Sequence, residues 1–393
     1  MDKKQKFQWN NVIAISLAHL THDIFSSFLA PLLPLLVIKL NFSYTIAGVL
    51  SIIQKIPNVL LSPFIGVMAD KLKVRYLLII APAITTTAMS LLGIVPNLIT
   101  LMILLFIMGI GSALFHVPAP VMIRKVAGKK VGTGMSFYML GGEIARTLGP
   151  LLILAVVSWW GLSRTYLLIP IGWAASFYLY LRLRNITITD EFSHEKSKTV
   201  YHTFITYLPY FILLACILIC RGFLKSAMTL FLPLYITTKG NSLWVAGLAL
   251  SLLQFAGAVG TFFAGSVSDY LGRNKTLILI CLITPILMFF FLIAKGAFLA
   301  VAIFMLGIFI FASGPVLLAQ VHDIKTDRPS FINGIYMTTN FLTAAATAFG
   351  VGFFSDLIGI ENIFNLTIFI ALGAVPFAVG LAIVNQKLKG VWK

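Results

Sequence analysis

Long apolar runs dominate the chain, and short polar segments interrupt them at near-regular intervals. A membrane-crossing helix needs about 20 mainly apolar residues. Runs meeting that length fall at about 11–38, 45–69, 76–95, 99–122, 131–157, 163–183, 207–236, 243–268, 275–294, 297–318, 332–356 and 361–384. The pattern therefore predicts twelve transmembrane helices joined by short connections. The longest polar stretch, 185–206, carries Asp190, Glu191, His194, Glu195, Lys196 and Lys198 and follows the sixth run. It divides the chain into an N-terminal six-helix bundle (1–184), a cytoplasmic linker (185–206) and a C-terminal six-helix bundle (207–393). The expected fold is all-α and integral to the membrane, with two pseudo-symmetric halves.

Composition supports that reading. Of 393 residues, 59% are hydrophobic and only 10% are charged. A soluble domain carries roughly 25% charged residues, so this chain has too little polar surface to cover a water-soluble globule. No stretch is long and polar enough to form a soluble domain, which argues against an enzyme with an extramembrane active site. Lys3, Lys4 and Lys6 precede the first apolar run, which is too long for the core of a cleaved signal and is followed by further spans. Cys216, Cys220 and Cys281 all lie inside apolar runs and are expected to be free thiols acting as small hydrophobes.

The net charge of +17 changes the picture only through its placement. With the N-terminus in the cytoplasm, the inner segments hold 21 Lys and Arg residues and the outer segments four: Lys39, Arg164, Lys239 and Lys295. Cytoplasmic loops carry the excess of Lys and Arg. Both termini are therefore expected inside, in the plasma (inner) membrane, with lipid as the surrounding partner. Trp159 and Trp160, at an outer helix end, fit an interfacial aromatic belt. No zinc-finger spacing, basic helix or aromatic RNA-binding pattern accompanies the charge, so nucleic acid is not an expected partner.

A motif recurs at equivalent places in the two halves. Gly66-x-x-x-Asp70-Lys71-x-x-x-Arg75 ends the second span, and Gly265-x-x-x-Asp269-x-x-Gly272-Arg273-x-Lys275 ends the eighth. An Asp here accepts hydrogen bonds from a neighbouring helix start, and the basic residues bind headgroups or acidic partners. Alone, each copy is equally a solvated turn. The repeated pattern resembles the loop signature of the major facilitator superfamily, closely in the second copy; in the first, Lys71 and Lys73 replace the usual Arg and Gly. The resemblance implies a midplane site, alternating access and monomeric function.

Ionisable groups inside the spans are the candidate chemistry. Each costs ~2.5–3.5 kcal/mol at a helix centre on insertion scales and by default faces a cavity or a partner. The first span holds His19, His22 and Asp23, with His19 and Asp23 one turn apart on one face. A carboxylate desolvated there beside a histidine suits proton coupling; the plainer reading is a pair that fixes helix packing. Gln54 and Lys55 lie on the second span, and Lys55 is too central to snorkel. Substrate contact and structural pairing are equally open for it. His116 precedes Pro118 and Pro120, which should kink the fourth span; such a histidine is most often a helix-packing hydrogen bonder. Glu143 and Arg146, three residues apart after Gly141-Gly142, either neutralise each other or form part of a site. Arg221 and Lys225 share a face of the seventh span with no acid on that helix. Their partner is Asp23, Glu143 or an anionic substrate, and Arg suits a carboxylate, phosphate or phosphonate. Asn340 on the eleventh span is a further candidate. Four intramembrane cations against two anions favour, weakly, an anionic or zwitterionic substrate. His19, His22, Asp23 and His116 lack a strong metal-ligand spacing, so no metal and no cofactor are expected.

Several of these residues carry a closer resemblance. Ser16-Leu-Ala-His19-Leu-Thr-His22-Asp23, with Pro31 and Pro34 downstream, is similar to the first span of fosmidomycin resistance-type transporters. Phe115-His116, Gly141-Gly142, Leu148-Gly149-Pro150 and Arg221-Gly222-Phe223 resemble later spans of that family, so the likeness covers most of the chain. It implies a secondary efflux carrier, proton-driven, for small anionic or amphiphilic compounds, and carries over to His19, Asp23, His116 and Arg221. His22, Val117, Glu143, Arg146 and Lys225 depart from the family pattern where the cavity is expected, which leaves the natural substrate open. An uptake permease for an anionic metabolite is the competing reading. A membrane-embedded metal-dependent enzyme or sensor using the histidines is the reading from another class.

Overall fold

The computed structural model describes residues 7–68, 75–128, 130–186, 200–324 and 329–391. Among them there are helices and turns but no strand. The helices are α1 (Trp9–Ser26), α2 (Leu29–Leu40), α3 (Tyr44–Met68), α4 (Arg75–Ser90), α5 (Leu98–His116), α6 (Pro118–Ala127), α7 (Val131–Trp160) and α8 (Ile169–Leu183). They continue with α9 (Val200–Ser226), α10 (Leu232–Thr238), α11 (Leu243–Leu271), α12 (Arg273–Ile293), α13 (Ala297–His322), α14 (Pro329–Ile358), α15 (Ile360–Leu372) and α16 (Ala374–Val391). Among the described residues, twelve stretches are long and apolar enough to cross a membrane, and each overlaps a span predicted from hydropathy. Several are longer than the apolar runs alone indicate; the fourth extends over Leu98–Ala127.

Four spans are built from two consecutive helices, and in three of them the interruption follows the candidate site residues. The first span breaks after Asp23: Ser26 and Ser27 turn their hydroxyls back to the carbonyls of Asp23 and Ile24. Pro31 then has no N–H to bond the fourth carbonyl behind it. The fourth span breaks at Val117, immediately before Pro118, so α6 starts with a proline at its first turn. The seventh passes through a wider-wound π segment, Ala227–Phe231, before Pro233 opens α10. Such segments recur at functional sites, and helix interruptions at membrane depth are tolerated where protein or a cavity satisfies the backbone.

The chain divides into two compact units. The first comprises residues 1–42, 50–195 and 241–251, and the second 43–49, 196–240 and 252–393. The first unit has a core of Ile15, Leu78, Phe115, Ile123, Tyr138 and Leu179. On its inner face α7 presents Gly141, Ala145 and Gly149 at four-residue intervals, and α1 lies directly against them. A methyl at Gly141 would come within 2.6 Å of the Ser16 carbonyl. In lipid, where helices gain nothing from leaving water, such small residues allow the close packing that holds helices together.

The second unit is packed around Tyr210, Phe211, Leu214, Leu277, Val316 and Tyr336. Segment 43–49 belongs to this unit because α14 grips it. Asp356 accepts hydrogen bonds from the amides of Tyr44 (2.9 Å) and Thr45 (2.7 Å), capping the start of α3 from 311 residues away. At an end of the same unit Lys239 pairs with Glu361 at 2.6 Å, and that hydrogen bond raises the lysine's pKa above its usual value.

Of the repeated loop motif, Asp70 and Lys71 lie outside the described residues. Arg75 donates to the Ile186 carbonyl at 2.7 Å. The second copy is fully described. Gly272 has φ +90°, a conformation L side chains rarely adopt, and it separates α11 from α12. Arg273 then pairs with Asp269 at 2.6 Å and with Asp323 at 3.1 Å. Asp269 thus has an arginine of its own motif as partner, rather than a helix start. The three cysteines are free; Cys281 is buried and Cys216 and Cys220 are half-buried.

Candidate functional site

The first unit contains a cluster of three histidines around one carboxylate. α1 supplies His19, His22 and Asp23, and α5 supplies His116 from its last turn. Asp23 Oδ2 lies 3.3 Å from His19 Nε2. Its Oδ1 lies 3.0 Å from His22 Nδ1 and 3.3 Å from His116 Nε2. Asp23, His19 and His22 are buried, and only His116 is substantially open, with a third of its side chain exposed.

Tyr138, on α7, organises these rings. Its carbonyl receives His19 Nδ1 at 2.7 Å, its hydroxyl lies 3.3 Å from His116 Nδ1, and its ring stacks on His19 at 4.0 Å between centroids. Phe115 stacks on His22 from the other side. Gly142, one turn beyond Tyr138, lies directly over the pair: a methyl there would sit 2.6 Å from His19 Cε1 and 3.3 Å from Asp23 Oδ2.

The hydrogen-bond roles follow from these distances. A carbonyl only accepts, so His19 Nδ1 carries a hydrogen. A neutral imidazole has just one N–H, which leaves Nε2 with a lone pair aimed at a carboxylate oxygen. Two acceptors face each other unless one further proton occupies the pair. His22 and His116 meet no such conflict, since each can donate to Asp23 Oδ1 while neutral. The cluster therefore has one place where an added proton converts a repulsive contact into a hydrogen bond.

The other candidates separate into paired and unpaired groups. Glu143 and Arg146 bond each other at 2.6 Å, and Arg146 also reaches toward the Gly142 carbonyl. Gln54 donates to the Ser26 carbonyl at 3.0 Å, tying α3 to the break in the first span. Lys55, next to it, is exposed, and among the described residues it has no hydrogen bond or ion pair. Asn340 is half-buried on α14, its carbonyl accepting from Thr343.

Arg221 differs from expectation. It is buried in the second unit and donates from Nη2 to the carbonyls of Phe309 and Ile310, both at 3.2 Å, while Nη1 lies 3.9 Å from Cys281 Sγ. Among the described residues its hydrogen-bond partners are backbone oxygens of α13 and the Cys281 sulfur. Lys225, one turn on, is exposed, with its ammonium 5.2 Å from the centre of the Phe311 ring. The shared helix face does not give the two cations a shared environment.

Tyr138 escaped the sequence reading, and His116 was grouped with Asp23 there only as a metal-ligand set with weak spacing. An aromatic residue at a helical position looks like ordinary core. Nothing in a spacing of 93 residues shows that α5 ends beside α1.

Comparison with known proteins gives a consistent result. Residues 15–348 match the family model for the Major Facilitator Superfamily. The chain is similar to the fosmidomycin resistance protein of Escherichia coli strain K12, 23% identical with 91% of this chain and 89% of that protein covered. It is also similar to the multi-drug resistance efflux pump PmrA of Streptococcus pneumoniae, 24% identical over 64% of this chain and 65% of that one. Among solved structures, a bacterial homologue of the human lysosomal transporter Spinster superposes with a TM-score of 0.80, covering 99% of both chains at 13% identity.

Proposed function

The chain belongs to the Major Facilitator Superfamily, and from that premise we propose that it exports a small anionic or amphiphilic organic compound in exchange for protons. It is a multi-pass membrane transporter and not an enzyme. The finer reading places it in the plasma membrane as a monomer of two six-helix halves joined by 185–206, with both termini in the cytoplasm.

The contact between His19 Nε2 and Asp23 Oδ2 supports coupling. At 3.3 Å it is longer than the 2.7–2.9 Å of a settled charge-assisted bond. His116 gives the buried pair a neighbour open to water. The pair takes up a proton in one state of the carrier and gives it up in the other, and Tyr138 holds His19 in the one tautomer that permits this. The outward direction is supported by two relatives named for resistance and efflux. Lys55 supports an anionic cargo: it is an intramembrane cation with no acidic partner among the described residues, whereas Arg146 pairs with Glu143 and Arg221 donates to carbonyls.

The test is accumulation of labelled fosmidomycin in a sensitive bacterial host bearing wild type, Asp23→Asn or empty vector. Lower accumulation with wild type alone is the expected result. A Lys55→Gln variant is expected to raise the concentration needed for half-maximal export while leaving an imposed proton gradient able to drive it. Equal accumulation in all strains, with the protein present in the membrane, contradicts fosmidomycin as cargo. Accumulation raised by wild type contradicts export.

A further inference from the structure

We propose that His19, Asp23 and His116 form a binding site for a divalent transition-metal ion of the zinc class. This does not depend on the coupling reading.

Three separate residues offer ligand atoms that all lie within 4.8 Å of one another. Around an ion with bonds of about 2.0–2.1 Å, tetrahedrally arranged ligand atoms lie roughly 3.3–3.4 Å apart. His19 Nε2 lies 3.3 Å from Asp23 Oδ2 and His116 Nε2 lies 3.3 Å from Asp23 Oδ1, so each imidazole faces its own carboxylate oxygen at the separation of neighbouring ligand atoms, long for a hydrogen bond, and the carboxylate would hold the ion between them. Two imidazoles and a carboxylate are a donor set that takes zinc or cobalt in preference to magnesium or calcium, which want oxygen alone.

The surrounding groups are those a metal site requires. A metal-bound histidine donates its other ring N–H to a carbonyl, hydroxyl or carboxylate, which fixes the tautomer. His19 does this to the Tyr138 carbonyl, and His116 has the Tyr138 hydroxyl in the matching place. The carboxylate is in turn held by His22. Stacking by Tyr138 and Phe115 locks the rings. Gly142 packs directly over His19 and Asp23, where any side chain would collide with the His19 ring. His116, one-third exposed, marks the entry side, where a water molecule or an anionic cargo can supply the fourth ligand. The ion's charge is offset by Asp23, and an anionic fourth ligand would complete neutralisation.

The experiment uses purified full-length protein carrying an affinity tag without histidine, titrated with Co2+ and read by visible absorption and by metal bound per chain. The expected result is one ion per chain with the intense visible bands of tetrahedral nitrogen–oxygen coordination, displaced by Zn2+. His116→Ala and Asp23→Asn are expected to weaken affinity by about tenfold or more, whereas His322→Ala, on α13, leaves it unchanged. His116→Cys restores binding and adds a near-ultraviolet thiolate band, which separates loss of a ligand from loss of folding. Absence of saturable binding by wild type overturns the proposal. So does a cobalt spectrum unaltered in both His116→Ala and Asp23→Asn.

Discussion

At the scale of single residues, burial and partner decide what each intramembrane charge does. Arg221 has no carboxylate partner among the described residues, yet its cost is met by two carbonyls at 3.2 Å in the second unit. A buried hydrogen bond to a charged group is worth about 1.5–3 kcal/mol, and leaving acceptors unpaired costs a similar amount. Arg221→Ala is therefore expected to lower the thermal unfolding midpoint in detergent, by a loss of about 2 kcal/mol or more, with little change in cargo affinity per folded molecule. A variant of wild-type stability with weakened cargo binding would return Arg221 to the substrate. The residue types were legible in the sequence and so was the local pair His19–Asp23, because four residues along a helix place two side chains on one face. Arg221's backbone partners were not, since carbonyls leave no mark in a sequence.

At the scale of helices, apolar length predicted the spans, and proline placement one of their interruptions. Pro118 and Pro120 foretold the break after His116, because proline removes a helix hydrogen bond wherever it stands; the break after Asp23 was not read from the sequence. The crossing of α1 and α7 was less legible. Gly141-Gly142 indicated close packing, but only the geometry distinguishes Gly141, against backbone, from Gly142, against the His19–Asp23 pair. Gly142→Ala raises intrinsic helix propensity by about 1 kcal/mol and yet pushes a methyl into the cluster. It is expected to abolish driven transport while the protein remains folded and in the membrane. Gly314→Ala, where a methyl meets nothing within 4 Å among the described residues, is expected to leave transport unchanged. Full activity in Gly142→Ala would show that the cluster has slack.

At the scale of the molecule, the fold was legible because lipid leaves so few solutions. Backbone groups must be satisfied internally, so apolar runs of this length become helices, and among the described residues twelve stand where hydropathy put them. The grouping of residues 43–49 with the second unit and 241–251 with the first was not legible. It rests on side-chain detail such as the Asp356 cap and the Gly247 contact with Leu154. The distribution of Lys and Arg predicts both termini in the cytoplasm, and reporter fusions at the two ends test this. Cytoplasmic signals at both are expected, and opposite signals would require an odd number of spans.

The central claim is that a proton at Asp23 and His19 powers transport. The most direct measurement compares wild type and Asp23→Asn in proteoliposomes, using labelled cargo under an imposed pH gradient and, separately, under equal cargo on both sides without one. Wild type is expected to concentrate cargo when the gradient is present and to exchange it when the gradient is absent. Asp23→Asn should keep exchange and lose concentration. If Asp23→Asn concentrates cargo as wild type does, the carboxylate is not the coupling group and the account fails at its centre.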